Sequence, residues 1–353
     1  MELTVLESLI PPTSSPHLLV VGLNHRTAPL ELRETVAFNP ERSREATAAF
    51  RRKFPQSEIV ILSTCNRVEL YIARPVSAEP SLENLAGFLA EFHALKADQL
   101  ASHLYHHEGR GMVEHLFSVA SSLDSMVVGE TQILSQVKHA YLHGCQPGAN
   151  GESMGAGKVL HALFQKALAA AKDVHEKTAL SSGRISVASV AVDLAASVFD
   201  RFDDKTVLCV GAGKMASLML RHLVELKPKK LLLVNRSIER AQALAGQFPG
   251  GRTEVGAFEQ LDAHLVHADI LLTSTGAAAA GGEAIISESR FKALQKPRRY
   301  RPIVIVDIAV PRDVEPSVAK LNNVYLYNID DLQEVAAGNR GKRDDAINSA
   351  QEL

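Results

Sequence analysis

From residue 205 onward, short apolar runs recur at regular intervals, separated by stretches of helical spacing. Residues 206–210, 230–234, 269–274, 303–307 and 323–327 are near-continuous apolar segments. Strands without polar alternation are buried on both faces, so this half predicts a parallel sheet with helices on both sides. The first half is less regular. Residues 17–23, 58–62 and 69–73 predict strands, and 35–54, 81–95 and 111–122 predict helices, which gives an α/β or α+β domain. Within 111–122, Val113, Leu116, Phe117 and Ala120 form an apolar stripe. His115 shares the opposite side with Ser118 and Ser122, and that side meets either solvent or a cleft.

Residues 144–157 are rich in Gly, Pro, Asn and Ser and form a loop. Val159, Leu163, Ala167, Ala170 and Val174 then recur at helical spacing, in a helix that ends near Thr178. A second helix carries Val187, Val190, Ala191, Leu194 and Val198 on one face. The expected division is a flexible extension over 1–16, a catalytic domain over 17–178 and a Rossmann-like dinucleotide-binding domain over 179–328. Residues 329–353 read as a polar helix with little to bury.

Composition narrows the class. A chain of 353 residues, 46% hydrophobic and 22% charged, can bury two cores without disulfides. No apolar run is long enough to span a bilayer, and residues 1–16 lack the basic start of a signal peptide. Three cysteines with no CxxC pair fit a reducing, cytoplasmic setting. His103, His106 and His107 cluster, but no second group at ligand spacing supports a metal. A net charge of −2 argues against a generic nucleic-acid binder, although Lys296, Arg298, Arg299 and Arg301 form a local basic run.

Two motifs carry chemistry. Gly211-Ala212-Gly213-Lys214-Met215-Ala216 follows an apolar strand and opens a helix, the context a dinucleotide turn needs. Gly211 permits the turn, Gly213 lets backbone amides approach a pyrophosphate, and Ala216 allows close helix packing. The next strand ends in Asn235-Arg236-Ser237 rather than Asp or Glu. A guanidinium and a hydroxyl suit a 2′-phosphate, so NADPH is expected over NADH. The second motif is Ser63-Thr64-Cys65-Asn66-Arg67-Val68-Glu69-Leu70-Tyr71. Cys65 lies just past a strand, with a cation two residues on that favours a thiolate; it is either a nucleophile or a structural thiol. Cys209 lies inside a strand as a core residue, and Cys145 falls in the loop. Ser125, Glu130, Thr131, Gln132 and Gln136 offer an acceptor-and-donor set that either holds an amino acid or caps a helix.

With these runs in view the chain closely resembles the glutamyl-tRNA reductase family. The resemblance also rests on Gly22-Leu23-Asn24-His25-Arg26-Thr27-Ala28-Pro29, on the run from Leu123 to Leu134, on Asp307-Ile308-Ala309-Val310-Pro311-Arg312-Asp313, and on Asn328-Ile329-Asp330-Asp331-Leu332. It implies NADPH-dependent reduction of glutamyl-tRNA(Glu) to glutamate-1-semialdehyde, the first step of tetrapyrrole (5-aminolevulinate, porphyrin) biosynthesis by the five-carbon route. Cys65 is then the thioester-forming nucleophile and His115 its assistant. Thr64, Asn66, Arg67, Ser125, Glu130, Thr131, Gln132 and Gln136 match the glutamate pocket, with Arg67 pairing with the substrate carboxylate. Residues 211–216 match the phosphate loop. Glutamate-1-semialdehyde 2,1-aminomutase is the implied partner. The family is homodimeric through a C-terminal domain whose long spinal helix would start at 329–353, and the chain stops about there. Ser122 stands where the family usually has Gly, Val128 where Leu is common, and the loop over 145–157 is longer. Two alternatives are a shikimate-dehydrogenase-like NADP oxidoreductase and an inactive tRNA- or partner-binding relative.

Overall fold

The computed structural model describes residues 16–76, 79–125, 132–148, 154–178, 187–248, 252–275 and 283–338. The chain forms two compact units, one holding the described residues up to 178 and the other those from 187 to 338.

The first unit is built on a four-stranded antiparallel sheet: β1 (His17–Asn24), β2 (Glu58–Ser63), β3 (Arg67–Arg74) and β4 (Tyr105–Glu108), in the order β2-β3-β1-β4. One face carries Leu19, Val21, Leu23, Ile59, Ile61, Val68, Leu70 and Ile72. These pack against α1 (Leu30–Thr35), α2 (Pro40–Lys53), α3 (Leu82–Phe92) and α4 (Ala97–Ala101). The helix expected over 35–54 is α2, which starts later, at Pro40; α1 before it is not among the expected helices. Pro40 cannot continue a preceding helix but fits a first turn, and the Asn39 side chain accepts from the Arg42 amide to start α2.

The other face meets α5 (Arg110–Ala120), α6 (Gln132–Gly144) and α7 (Lys158–Lys177) through Val20, Val60, Leu62 and Tyr71. In α5 the buried stripe is Met112, Leu116, Val119 and Ala120, one position rotated from the expected one. Ser122 closes the turn after α5 at φ 63°, the left-handed region where a glycine is least strained.

The second unit is a six-stranded parallel sheet. Its strands are β5 (Thr206–Val210), β6 (Lys230–Val234), β7 (Thr253–Gly256), β8 (Ile270–Thr273), β9 (Ile303–Asp307) and β10 (Val324–Asn328). The order β10-β9-β8-β5-β6-β7 is that of the doubly wound dinucleotide-binding fold, with its switch point between β5 and β8. α8 (Val187–Val198), α9 (Lys214–Glu225), α10 (Ile238–Ala245), α11 (Leu261–His267), α12 (Glu288–Gln295) and α13 (Ile329–Gly338) complete it. α8 buries Val190, Ala191 and Ala195, while Leu194 and Val198 are half-buried.

The segment from Ile329 buries Ile329, Leu332 and Ala336 and contacts α8, more than its polar sequence suggests; residues 339–353 lie outside the described residues. The basic run also dissolves. Arg298 is buried and donates to the carbonyls of Leu265 and Ala268 at the end of α11, and Arg301 pairs with Asp269. No described helix is long and apolar enough to cross a membrane.

Candidate active site

Alternation along β3 puts Arg67, Glu69 and Tyr71 on the face that α5 and α7 cover. Glu69 lies opposite Gly22 of β1, and Gly22 in turn lies opposite Tyr105 of β4. A Cβ on residue 22 would meet the Glu69 side chain at 2.7 Å, so glycine opens the lane between Glu69 and Tyr105. Glu69 is 0% exposed and accepts from Arg67 Nη1 at 2.8 Å, Tyr71 Oη at 2.6 Å, His115 Nε2 at 2.8 Å and Tyr105 Oη. Burial alone raises a carboxyl's pKa. Here Arg67, then the hydrogen bonds from His115 and Tyr105, outweigh it and hold Glu69 well below the usual carboxylate range. Burial and the same anion push the Tyr71 and Tyr105 phenols up, so both remain donors.

His115 stands at the edge of this network, its ring stacked on His107 at 4.8 Å. Its outward side faces a cavity of about 590 Å³, which settles the choice between solvent and cleft. The walls include Asn24, Arg26, Tyr105, His107, Glu114 and Asp124. Burial, then the neighbouring His115, lowers the His107 pKa.

Cys65 occupies the turn between β2 and β3, at the same end of the sheet. The described residues lining the cavity do not include Cys65, Thr64 or Asn66. The turn is pinned on several sides. Thr64 Oγ1 accepts from the amides of Asn66 and Arg67, both at 3.1 Å. The His25 amide donates to the Asn66 carbonyl at 2.9 Å. Buried Arg33 donates to the Cys65 carbonyl at 2.6 Å. Burial, then Arg26, Arg67 and Arg33, lowers the pKa of the adjoining His25 to about 4. Cys65 is half-buried, whereas burial pushes the Cys209 thiol up to about 12. Cys145 lies 3.9 Å from His161 Nδ1.

Arg67 is 2% exposed, with Nη1 donating to Glu69 and to Asp124 Oδ2 at 3.1 Å, and Nη2 to the Asp124 carbonyl at 2.5 Å. Its guanidinium holds Glu69 and Asp124. Ser125 follows Asp124 and is half-buried. Gln132 and Gln136 stand one turn apart at the start of α6; Glu130 and Thr131 lie outside the described residues.

Sequence reasoning missed Glu69, Tyr105, His107, Asp124 and Arg26 as site residues. Glu69 carried a readable signal: a carboxylate inside the apolar run Val68–Ile72 must be paired if that strand is buried. Tyr105 and His107 carried none, because β4 is short and polar.

In the second unit, Gly211 has φ 112°, and a Cβ there would lie 3.0 Å from the Ser274 carbonyl across the switch point. Nothing lies within 4 Å of a Cβ on Gly213, which begins α9. This open space before the free amides of a helix fits a pyrophosphate. Ala216 is buried against the sheet, with Ala212, Lys214 and Met215 completing the loop. Asn235 Nδ2 donates to the Ser237 carbonyl at 2.9 Å, and Ser237 caps α10. Exposed Arg236 lies over Phe258 at 5.8 Å. A second cavity, of about 630 Å³, runs between α9 and α10. Ala212, Gly213 and Lys214 line it and Asn235, Arg236 and Ser237 do not; ligands of this fold sit in the crevice beyond the strand ends.

Buried carboxylates brace the same edge. Asp307 accepts from Thr273 Oγ1 and the amides of Ala309 and Val314, and Asp313 accepts from Thr275. Burial, then Asp313, pushes Asp307 up to about 7. Among the described residues no three His, Cys, Asp or Glu side chains form a group able to hold a metal.

Two family models match the chain. Residues 21–178 match the glutamyl-tRNAGlu reductase N-terminal domain, and residues 193–335 match shikimate/quinate 5-dehydrogenase. The glutamyl-tRNA reductase of Trichlorobacter lovleyi is 42% identical over 94% of this chain and 73% of its own length. That of Syntrophotalea carbinolica is 43% identical over 96% and 73%. The solved glutamyl-tRNA reductase of Methanopyrus kandleri shares 34% identity, covering 95% of this chain and 77% of its own, with a TM-score of 0.46.

Proposed function

The chain belongs to the glutamyl-tRNA reductase family, and on that premise we propose that it reduces the glutamyl group of glutamyl-tRNA(Glu) to glutamate-1-semialdehyde through a thioester on Cys65. This is the first step of tetrapyrrole synthesis by the five-carbon route, and it releases the tRNA. The observation that supports the residue assignment is a half-buried thiol in a turn pinned by Thr64, His25 and Arg33, at the same sheet end as His115.

The steps balance on this chain's own residues. The Cys65 thiolate attacks the ester carbonyl, a C–S bond forms, and the C–O bond to the terminal ribose breaks. A hydroxyl leaves with the tRNA, and the proton it takes is delivered at His115. With Nε2 donating to Glu69, the other imidazole nitrogen, Nδ1, handles that proton. Glu69 stabilises the imidazolium when it forms, as the carboxylate does in other acid–histidine pairs. Aminoacyl esters are activated, so orientation and charge placement supply most of what the first step needs. When bound, the reduced nicotinamide would supply a hydride to the thioester carbonyl, giving a thiohemiacetal on Cys65 whose C–S bond must break for the aldehyde to form. Cys65 is then expelled as a thiolate, ready for the next ester. Thr64, Asn66, Arg67, Ser125, Glu130, Thr131, Gln132 and Gln136 are proposed to shape the amino-acid pocket.

The nicotinamide domain is assigned to NADPH because Arg236 and Ser237 stand where a carboxylate would select NADH. Replacing Arg236 with Ala is expected to weaken NADPH binding by about tenfold to a hundredfold and NADH binding far less, the worth of a charge-assisted pair. Titration of the intrinsic fluorescence of each dinucleotide reads this. Equal losses for both would return the 2′-phosphate role to some other group. A cytoplasmic location, a homodimer and an aminomutase that receives the aldehyde are proposed on family membership; the reactive aldehyde favours direct transfer.

Mass spectrometry of the protein mixed with glutamyl-tRNA and no dinucleotide tests the thioester. A glutamyl adduct on Cys65 is expected, cleared by hydroxylamine. Unmodified Cys65 alongside hydrolysed ester would overturn the mechanism.

A further inference from the structure

The switch point between β5 and β8 divides the crevice of the second unit into two halves. The phosphate turn follows β5, and Arg236 and Ser237 follow β6, so the adenosine side of a dinucleotide belongs to the β5–β6–β7 half. The nicotinamide is left to the ends of β8 and β9. Two buried carboxylates that the mechanism does not use stand there. Asp307 closes β9 and accepts from Thr273 Oγ1 of β8 at 2.9 Å. It also accepts from the amides of Ala309 at 3.0 Å and Val314 at 2.8 Å, which ties both ends of the loop after β9 to the strand end. Asp313, 0% exposed, lies on that loop and reaches across to the end of β8. It accepts from the Thr275 amide at 2.8 Å and from Thr275 Oγ1 at 2.5 Å.

We propose that Asp313 is a positioning residue for hydride transfer: through Thr275 it fixes the end of β8 on which the nicotinamide half of the dinucleotide rests. This role presupposes the proposed hydride step. Thr275 stands at the border between the halves, because the carbonyl of Ser274 before it faces the phosphate turn, 3.0 Å from a Cβ on Gly211. Ser274 has its own anchor, its amide donating to the Val210 carbonyl at 3.1 Å. The phosphate side of the crevice is thus held without Asp313, and the residue beyond it is held by Asp313. One carboxylate takes both the amide and the hydroxyl of Thr275, which fixes backbone and side chain together. Asp307 backs this clamp through the amide of Val314, and the Ile286 amide donates to the Asp313 carbonyl at 3.0 Å. The loop is therefore anchored on either side of the clamping carboxylate. Such support matters because misplacing a reacting group by about 1 Å costs on the order of a hundredfold in rate.

Adenosine 2′,5′-bisphosphate carries the adenosine half of NADPH without the nicotinamide, so it separates the two halves. Asp313→Ala is expected to weaken NADPH binding by about tenfold or more and to leave adenosine 2′,5′-bisphosphate within about twofold, since two bonds to a carboxylate are lost on one side of the crevice only. NADPH fluorescence and its displacement read both affinities. Thr275→Val keeps the amide bond and removes the hydroxyl. It is expected to weaken NADPH binding, and to slow aldehyde release from a preformed Cys65 adduct, by about threefold to tenfold, the worth of one hydrogen bond. Thr275→Ser restores the hydroxyl and is expected to restore both values, which a loss of packing at this position would not allow. The two threonine variants decide the matter where Asp313→Ala does not fold. Equal losses for both ligands in Asp313→Ala overturn the role of Asp313, as does a Thr275→Val protein with native NADPH affinity and native aldehyde release. Absence of any Cys65 adduct in the native protein overturns the thioester reading instead, so the two failures are distinguishable.

Discussion

Replacing Glu69 with Ala is expected to destabilise the first unit by about 3–5 kcal/mol at neutral pH, the cost of leaving a buried ion without its partner. The loss exceeds that of a single hydrogen bond because Arg67, Tyr71, Tyr105 and His115 all donate to this one carboxylate. Glu69→Gln keeps the volume but removes the charge, and it separates the electrostatic part from the packing part. The pH dependence has a definite sign. The folded carboxyl is held well below its unfolded value of roughly 4.3, so its stabilisation is complete above that value. The unfolded chain binds the proton first as pH falls, and the advantage of the native protein over Glu69→Gln shrinks from about pH 5 downward. Urea midpoints at pH 7 and pH 4 measure this. A difference that stays constant across that window would mean that Glu69 is not ionised in the native state. Activity is expected to fall with it, since His115 loses the group that fixes its tautomer.

This network also marks where sequence reasoning stops. The buried parallel strands were legible because a strand covered on both sides must be apolar throughout, as in Val207–Val210 and Ile303–Val306. The glycine turn was legible because its requirements are local: a positive φ at Gly211 and empty space at Gly213. Cys65 and His115 stood out by chemistry and by motif. What links them was not legible. Glu69, Gly22 and Tyr105 are neighbours only through the register of three strands, and β4, with sequence Tyr-His-His-Glu, has no apolar period to reveal it. The edge strand β7, Thr-Glu-Val-Gly, escaped for the same reason. Arg67 was marked for the site by its motif, but its ion pairs to Glu69 and Asp124 were not legible, because both depend on how the strand and the α5 end are brought together.

Cys65→Ala is expected to lower turnover of glutamyl-tRNA by about a thousandfold or more, because covalent capture leaves no alternative route once the sulfur is gone. NADPH affinity should be unchanged, since the phosphate loop belongs to the other unit. Thermal stability should shift little, the side chain being half-buried in a turn held by Thr64, His25 and Arg33 through main-chain groups that alanine retains. Cys65→Ser adds a further discrimination. A serine hydroxyl placed in the same turn is a poorer nucleophile at neutral pH, and any ester it formed would resist hydride more than a thioester, so the aldehyde should vanish even if the tRNA is slowly deacylated. Cys145→Ala should turn over at the native rate, because that thiol sits on the α6–α7 side beside His161, outside the proposed machinery. Aldehyde formation by Cys65→Ala at more than a few per cent of the native rate would require direct hydride transfer to the ester. The sulfur would then be a packing residue, and Arg33 would serve only to hold the turn through the Cys65 carbonyl.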